Sequence, residues 1–506
     1  MSKTPNTYDY IVVGAGAAGS VLAARLSQCA DARVLVLEAG SASPPPLSSI
    51  PQGWPLLSTT EWNWGDSSTV QSATGRSVPV PRGRGVGGSS LINGMIFMRG
   101  HRANFDAWRE SGAAGWAFAD LLPYFKRSET ASGRDPALRG TIGPMVVAPA
   151  DPPNEVLTAC LSAAVDSGHR RAVDISGGLE LGFGPVDLNI VEGKRQSAAD
   201  AYLWPAARRS NLDLVSDAAV HRLLIEGSRC VGVEYVKSYR GDIHEAWADE
   251  VILAAGAVGS PQILMRSGIG PQSHLRDVGV DVCLDLPGVG ANLQDHAWVM
   301  VAYRGARPVP PARNNHGEII GLIHSGASEM APDLQIIFGD SSGPEFVGFD
   351  GVDNGFVIAV CVVQPFSRGT VRLSSGDMRP VIDPNYFGDD RDMRTMIEGL
   401  RIARKIGMAS QLDDWRAEEV SPGAAAESDE ELRAFVRRSF GSYTHLAGTC
   451  AMGHKANSVV DAELRVHGVD GLRIADASVM PTVPSANTAA TVYALAERAA
   501  ELIING

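Results

Sequence analysis

The feature that most constrains this chain lies near its start. Tyr10-Ile11-Val12-Val13 is a short continuous apolar run, and Gly14-x-Gly16-x-x-Gly19 follows it directly. Such a run suits a parallel strand buried on both faces. The three glycines meet three geometric needs: a tight turn, close approach of backbone to a pyrophosphate, and close packing of the next helix on the sheet. Ala17 and Ala18 complete that turn as candidate ligand contacts. The apolar periodicity from about Gly16 to Leu26 predicts a helix, whose first N–H groups and partial positive charge would face phosphate. Arg33 to Leu37 (RVLVL) reads as the second strand. Glu38 ends it nineteen residues after Gly19, with Ala39 beside it. A carboxylate there accepts from both ribose hydroxyls and repels a 2′-phosphate. Strand, helix and acid together make a dinucleotide-binding βαβ unit and predict a parallel, helix-covered α/β sheet. The unit alone leaves NAD and FAD both open.

A chain of 506 residues exceeds one ordinary core, so two domains are expected. Strand patterns return at Leu212–Val215, Val231–Val236 and Val251–Leu253. The tail from about Gly471 again reads strand, loop and long helix. The region 300–440 differs. It has alternating segments such as 369–373, a Gly/Asp-rich loop around 339–355 and a helical pattern from Met393 to Ile406. The expected division is therefore a discontinuous first domain over 1–160, 195–300 and 440–506, and a second over 300–440 with part of 160–195.

Composition excludes some partners. The net charge of −13 argues against nucleic acid or an anionic membrane as a binding surface. No apolar stretch of about 18 residues offers a membrane span. The polar start MSKTPNTYDY runs straight into a strand and does not read as a targeting segment. Six scattered cysteines, without a CxxC pair, read as reduced core residues. A cytoplasmic location is the expectation. No HExxH, Cys/His cluster or GxSxG turn supports metal or serine-hydrolase chemistry. Oligomeric state stays open.

Three later stretches extend the picture: Gly83-Arg-Gly-Val-Gly-Gly-Ser-Ser-Leu-Ile-Asn-Gly-Met95, then Gly256-Ala-Val-Gly259-Ser-Pro-Gln-Ile-Leu264. The third runs from His445-Leu-Ala-Gly448-Thr449 through Gly471 to Asp476-Ala477-Ser478 and on to Pro484-Ser-Ala-Asn487-Thr488. With the fingerprint they span nearly the whole chain, and in this order they resemble the glucose–methanol–choline (GMC) oxidoreductases. The bacterial members acting on small primary alcohols look most similar. The resemblance implies FAD as cofactor, a Rossmann-like FAD-binding domain, and a substrate domain on an antiparallel or mixed sheet. It implies that Asn93, Gly94 and Met95 line the flavin, with Gly87, Gly88 and Ser89 near the pyrophosphate. It places the Val220 backbone at the adenine, Ala255 and Gly256 against the cofactor, and Asp476 and Ala477 at the pyrophosphate–ribityl region. Some relatives carry a flavin-linking His at or near the position of Ile92; there is none here, which implies non-covalent FAD.

Flavin-dependent alcohol oxidation needs a base for the hydroxyl proton, an acceptor for the hydride and support for negative charge. A histidine suits the first task, since its ordinary pKa lies near neutrality. Of the eleven histidines only His445 lies in a motif that matches the family's catalytic one. Asn487 stands at the second catalytic position, where an amide would donate to the substrate oxygen. Asn487 and Thr488 also read as helix N-caps. The expected reaction is oxidation of a small primary alcohol, with a lean to aromatic or furan-like ones, to the aldehyde. Oxygen or a quinone-like carrier is the electron acceptor. A FAD-containing lyase and an NAD-dependent dehydrogenase remain the alternatives.

Overall fold

The computed structural model describes residues 7–506 apart from 238–240, 327–330, 343–351, 353 and 455. The Gly/Asp-rich loop expected around 339–355 lies largely outside the described residues, as does the start of the polar N-terminal stretch. The elements that position the candidate site are, in chain order, strands β1 (Thr7–Val13), β2 (Val34–Leu37), β3 (Gly182–Pro185), β4 (Leu212–Val215), β5 (Ala218–Glu226), β6 (Arg229–Lys237), β7 (Ile243–Leu253), β8 (Ala297–Gly305), β9 (Ile319–Ile323), β10 (Leu334–Gly339), β11 (Gly355–Val362), β12 (Thr370–Leu373), β13 (Pro380–Asp383), β14 (Arg416–Ser421), β15 (Gly441–Ser442) and β16 (Leu472–Ile474). The helices are α1 (Ala17–Leu26), α2 (Gly256–Arg266), α3 (Asp390–Gly407) and α4 (Ala489–Asn505).

The first sheet runs β4-β2-β1-β7-β6-β5, with β16 alongside β7. Its centre is parallel: Tyr10 to Val13 pair with Val34 to Leu37 on one side and with Glu250 to Leu253 on the other. β5, β6 and β7 form an antiparallel meander at one edge. The apolar runs of β1, β2 and β7 are buried, as expected of strands covered on both faces. Eight of the ten residues of α1 are buried, and the helix packs on the alanine-rich α4. The C-terminal helix therefore closes the unit that the N-terminus opens.

The second sheet runs β14-β8-β11-β10-β9-β3 and is antiparallel throughout, with β15 beside β8. α3 covers it. Asp389 caps α3 by accepting from Arg391 N–H, acids lead its first turn, and Arg404 and Lys405 close its last, each matching the helix dipole. Met393, Met396, Ile397, Leu400, Ala403 and Ile406 form its buried face. Mixed α/β architecture, with one large sheet parallel at its centre and one large antiparallel sheet, is thus the observed fold class.

Two expectations need correction. The ribbon β12–β13 lies within 300–440, yet Val371, Leu373 and Ile382 bury in the first core, and Gln262 and Arg266 of α2 hydrogen-bond the Met378 carbonyl. Alternation marks a strand but does not encode which sheet or core receives it. The cysteines were expected in the core. Cys160, Cys230, Cys361 and Cys450 are buried, but Cys29 and Cys283 are exposed, both in surface turns or bends. Among the described residues no helix is long and apolar enough to cross a membrane.

Candidate active site

The glycine turn and the glycine-rich loop are laced together. Gly87 N–H donates to Ala15 C=O at 2.8 Å, and Val86 N–H to Ser41 C=O. A Cβ on Gly88 would lie 2.6 Å from Gly16 Cα, and one on Gly19 would lie 1.8 Å from the Gly14 carbonyl oxygen. No side chain caps the N-terminus of α1, which leaves its first N–H groups for a ligand. Glu38 is buried at the junction. Its carboxylate accepts from the N–H groups of Ala15 (2.9 Å), Gly40 (2.9 Å) and Gly85 (3.1 Å). Burial raises its pKa, and these three donors oppose the shift. Gly40 C=O and Glu38 C=O receive the N–H groups of Asp217 and Ala218, which brings the start of β5, and Val220 on it, next to the carboxylate turn. Val220 is half-buried, paired with Tyr235, and not a core side chain. This cradle of bare backbone, one uncapped helix end and one acid could hold the pyrophosphate and ribose of a dinucleotide.

Several expected contacts turn inward. Ser89 is exposed, and its hydroxyl accepts from Gly83 N–H. Asn93 Oδ1 accepts from Met95 N–H at 3.1 Å and from Arg195 at 2.6 Å. Met95 adopts a left-handed backbone, φ 56°. The Asp476 carboxylate receives Gly256 N–H (2.9 Å), Ser260 Oγ–H (2.5 Å) and Ser478 N–H (2.8 Å). It therefore ties the start of α2, where Ala255 is the cap residue, to the loop after β16. Ala477 C=O takes Gly448 N–H, and Cys450 N–H reaches Ser478 C=O, so the loop carrying His445 is stitched to the loop carrying Asp476.

The second cluster gathers residues far apart in sequence. His445 is buried, with Nε2 3.3 Å from Asn487 Nδ2 and Nδ1 2.8 Å from His296 Nδ1. Asn487 Nδ2–H also donates to Tyr443 OH at 2.9 Å, and Asn487 Oδ1 accepts from Gln335 on β10 at 3.1 Å. Tyr443 lies against His445, ring centroids 4.3 Å apart, and stacks on Trp298 of β8 at 5.2 Å. Beneath them Asp295 accepts from His445 N–H (2.6 Å), Ser442 Oγ–H (2.5 Å) and Tyr386 OH. Thr444, between Tyr443 and His445, adopts a left-handed backbone, φ 65°. Burial lowers the His445 pKa to about 3 and pushes that of His296 well below the imidazole range. Burial raises Asp295 to about 6. A neutral imidazole nitrogen with an amide N–H beside it and an aromatic ring against it can accept a proton from a hydroxyl while the amide holds the oxygen.

Of the two N-cap candidates, Thr488 occupies the cap position of α4, though no side chain makes a cap hydrogen bond there, and the Asn487 amide is engaged instead by His445, Tyr443 and Gln335. The sequence reading also missed residues. It gave His296 no functional context and passed over Asp295, Trp298, Gln335 and Arg195. Arg195 is buried, holds Ser48 C=O, Ser90 C=O and Asn93, and leaves Nη2 without a partner among the described residues. An adjacent acid–histidine pair heading an apolar strand, Asp295-His296 before β8, was the one local signal available.

The comparisons with known proteins agree with one another. Residues 8–298 match the N-terminal profile described as GMC oxidoreductase, and residues 365–496 the C-terminal one. The oxygen-dependent choline dehydrogenase of Brucella canis is 37% identical over 530 residues, covering 98% of this chain and 95% of that protein. The crystal structure of pyridoxine 4-oxidase from Mesorbium loti superposes with a TM-score of 0.94 at 34% identity, covering 99% of each chain. Formate oxidase from Aspergillus oryzae, studied for FAD modification, gives 0.92 at 27% identity, covering 100% of this chain and 99% of that one.

Proposed function

The chain belongs to the GMC oxidoreductase family, whose FAD-dependent members act on alcohols, and from that premise we propose that it oxidises a neutral aromatic or furan-like primary alcohol to the aldehyde with His445 as base. The observation that carries this reading is the His445–Asn487 pair: one imidazole nitrogen and one amide N–H, 3.3 Å apart, both side chains buried at the meeting of the two sheets.

The proposed division of labour follows the geometry. Gly14, Gly16, Ala17, Ala18, Gly19, Glu38, Ala39, Gly87, Gly88 and Ser89 would hold the dinucleotide end of FAD. Asn93, Gly94, Met95, Val220, Ala255, Gly256, Asp476, Ala477 and Thr488 would hold the rest. Bound FAD would accept the hydride from the carbinol carbon. His445 Nε2 takes the hydroxyl proton, and the Asn487 Nδ2–H that faces Nε2 without substrate passes to the substrate oxygen and supports it as negative charge grows there. Tyr443 and Trp298 give the alcohol an aromatic wall. Among the described residues, the side chains bonded to the proposed pair are His296, Tyr443 and Gln335, and none is acidic. Asp295 meets His445 only at the backbone. A quaternary ammonium substrate would want a carboxylate within reach, so the lining favours a neutral alcohol over choline.

The first sheet with α1 and α4 would be the FAD-binding unit, and the second sheet, through Gln335 and Trp298, would cover the reacting side. FAD would be non-covalent, since Leu91 to Met95 offer no histidine to link it. Six free thiols fit a reducing compartment such as the cytoplasm. The test is the visible spectrum of the purified protein during oxygen-free addition of benzylic, furanic and quaternary-ammonium alcohols. Bleaching by the first two supports the reading. A yellow protein that no alcohol bleaches points to a lyase, and a colourless one that rebinds no FAD contradicts the proposal. Readmitted air, or an added quinone, restores the colour and identifies the acceptor. Denaturation should release all flavin into solution.

A further inference from the structure

The contact between His296 and His445 joins two like atoms. Their Nδ1 nitrogens are 2.8 Å apart, so one carries a hydrogen and the other a lone pair. Both rings are buried and, among the described residues, no carboxylate oxygen is bonded to either ring, so both are neutral, with one hydrogen each. The hydrogen-bond network decides where those hydrogens lie. Gln335 Nε2 donates to Asn487 Oδ1, so the Asn487 amide turns its NH2 group toward Tyr443 OH and His445 Nε2. A donor facing Nε2 requires a lone pair there. The His445 hydrogen is then on Nδ1, and it is given to His296 Nδ1. His296 keeps its own hydrogen on Nε2, a buried atom without a partner among the described residues.

We infer that His296 is a positioning residue: its Nδ1 accepts the Nδ1 hydrogen of His445 and thereby holds His445 in the tautomer whose Nε2 keeps the lone pair that can take the substrate proton. The inference rests on the reading of His445 as the base. It gives the orphaned His296 Nε2–H a reason, since that buried donor is left unsatisfied so that Nδ1 can remain an acceptor. When the alcohol O–H bond breaks and the proton reaches His445 Nε2, the ring carries both hydrogens and a positive charge. Its Nδ1–H bond to the neutral His296 then becomes charge-assisted and shorter. In familiar triads a carboxylate fixes the tautomer from behind. Here a neutral imidazole does so, while the nearby carboxylate, Asp295, is occupied by the His445 backbone N–H, Ser442 and Tyr386.

Two substitutions separate this role from mere filling. His296→Asn keeps an acceptor oxygen near the place of Nδ1. His296→Leu keeps bulk and removes the acceptor. The FAD-loaded wild type and both variants are labelled with 15N-histidine, and the His445 signals are identified by their loss in His445→Gln. The expected result is the Nδ1–H tautomer in wild type and His296→Asn, and a shift toward Nε2–H in His296→Leu. Oxygen-free flavin bleaching at saturating alcohol should slow about 100-fold in His296→Leu and stay within about tenfold of wild type in His296→Asn. The half-saturating alcohol concentration should be unchanged in both. An Nε2–H tautomer in the wild type overturns the proposal, and so does a leucine variant with unchanged tautomer and rate. If the spectra show the expected tautomers but His445→Gln bleaches as fast as wild type, the positioning stands and the reading of His445 as base falls. The wild-type spectrum alone decides the tautomer if the leucine variant does not fold.

Discussion

Two buried carboxylates organise the two sides of this molecule in similar ways. Glu38 gathers three backbone N–H groups, from Ala15, Gly40 and Gly85, and so clamps the turns of the cofactor cradle. Asp295 gathers one backbone N–H and two hydroxyls, from His445, Ser442 and Tyr386, and so clamps the loop that carries His445. They differ in what surrounds them. The Glu38 donors belong to glycine-rich backbone whose form is nearly independent of side chains. The Asp295 donors are side chains and a loop brought together by the second sheet. A backbone cradle is built to receive a common ligand part, whereas a side-chain cluster can be retuned one residue at a time.

The largest effect should come from breaking the cradle. Gly19→Ala places a methyl 1.8 Å from the Gly14 carbonyl oxygen, so the turn must open. The protein should purify without flavin, read as visible absorbance per mole of protein. Next come the clamps themselves. Asp295→Leu leaves three buried donors unpaired, at roughly 1–3 kcal/mol each before relaxation. The expectation is a lower thermal midpoint and slow bleaching by alcohol, with flavin retained. Glu38→Leu should do the reverse, weakening FAD binding while any flavin that remains bleaches at close to the wild-type rate. Equal losses of flavin in both variants would erase the distinction between the two sides.

The smallest effect is in the pH dependence of stability, where Asp295 and His445 act in opposite senses. Burial raises Asp295 to about 6, so the folded state holds its proton more tightly than the unfolded chain. That contribution to stability is full below about 4 and is lost as pH rises through 6. His445 is lowered to about 3, so the unfolded chain binds its proton first. Its contribution is present above about 6.5 and is lost as pH falls toward 3. Relative to wild type, His445→Gln should therefore gain stability on acidification from 6.5, and Asp295→Asn should gain it between pH 4 and 6 on going up. Denaturant midpoints across this range check both signs.

The cradle was legible because its parts are local. Gly14 to Glu38 is one βαβ unit, and spacing alone supplies turn, helix end and acid. β4, at Leu212–Val215, was found to the residue for the same reason. The cluster around His445 was half legible. His445 and Asn487 were found through motif resemblance, but His296, Asp295, Trp298 and Gln335 come from strands or strand entries whose local pattern only says buried. Their meeting depends on sheet register, for instance Ala297 opposite Val362 and Ser442 opposite Ala297, which no short window contains. The ribbon β12–β13 was misplaced because alternation names a strand without naming its partner. Asn487 looked like a cap because its short amide suits a helix end, whereas here that amide bonds His445, Tyr443 and Gln335.

The central claim is that His445 takes a proton from an alcohol whose hydride goes to FAD. The most direct measurement is the rate of oxygen-free flavin bleaching by a benzylic alcohol, unlabelled and deuterated at the carbinol carbon, in wild type and His445→Gln. The account predicts slower bleaching with deuterium in the wild type and a loss on the order of 10³-fold in the variant. An unchanged rate in His445→Gln, or a flavin that no alcohol bleaches, would contradict it.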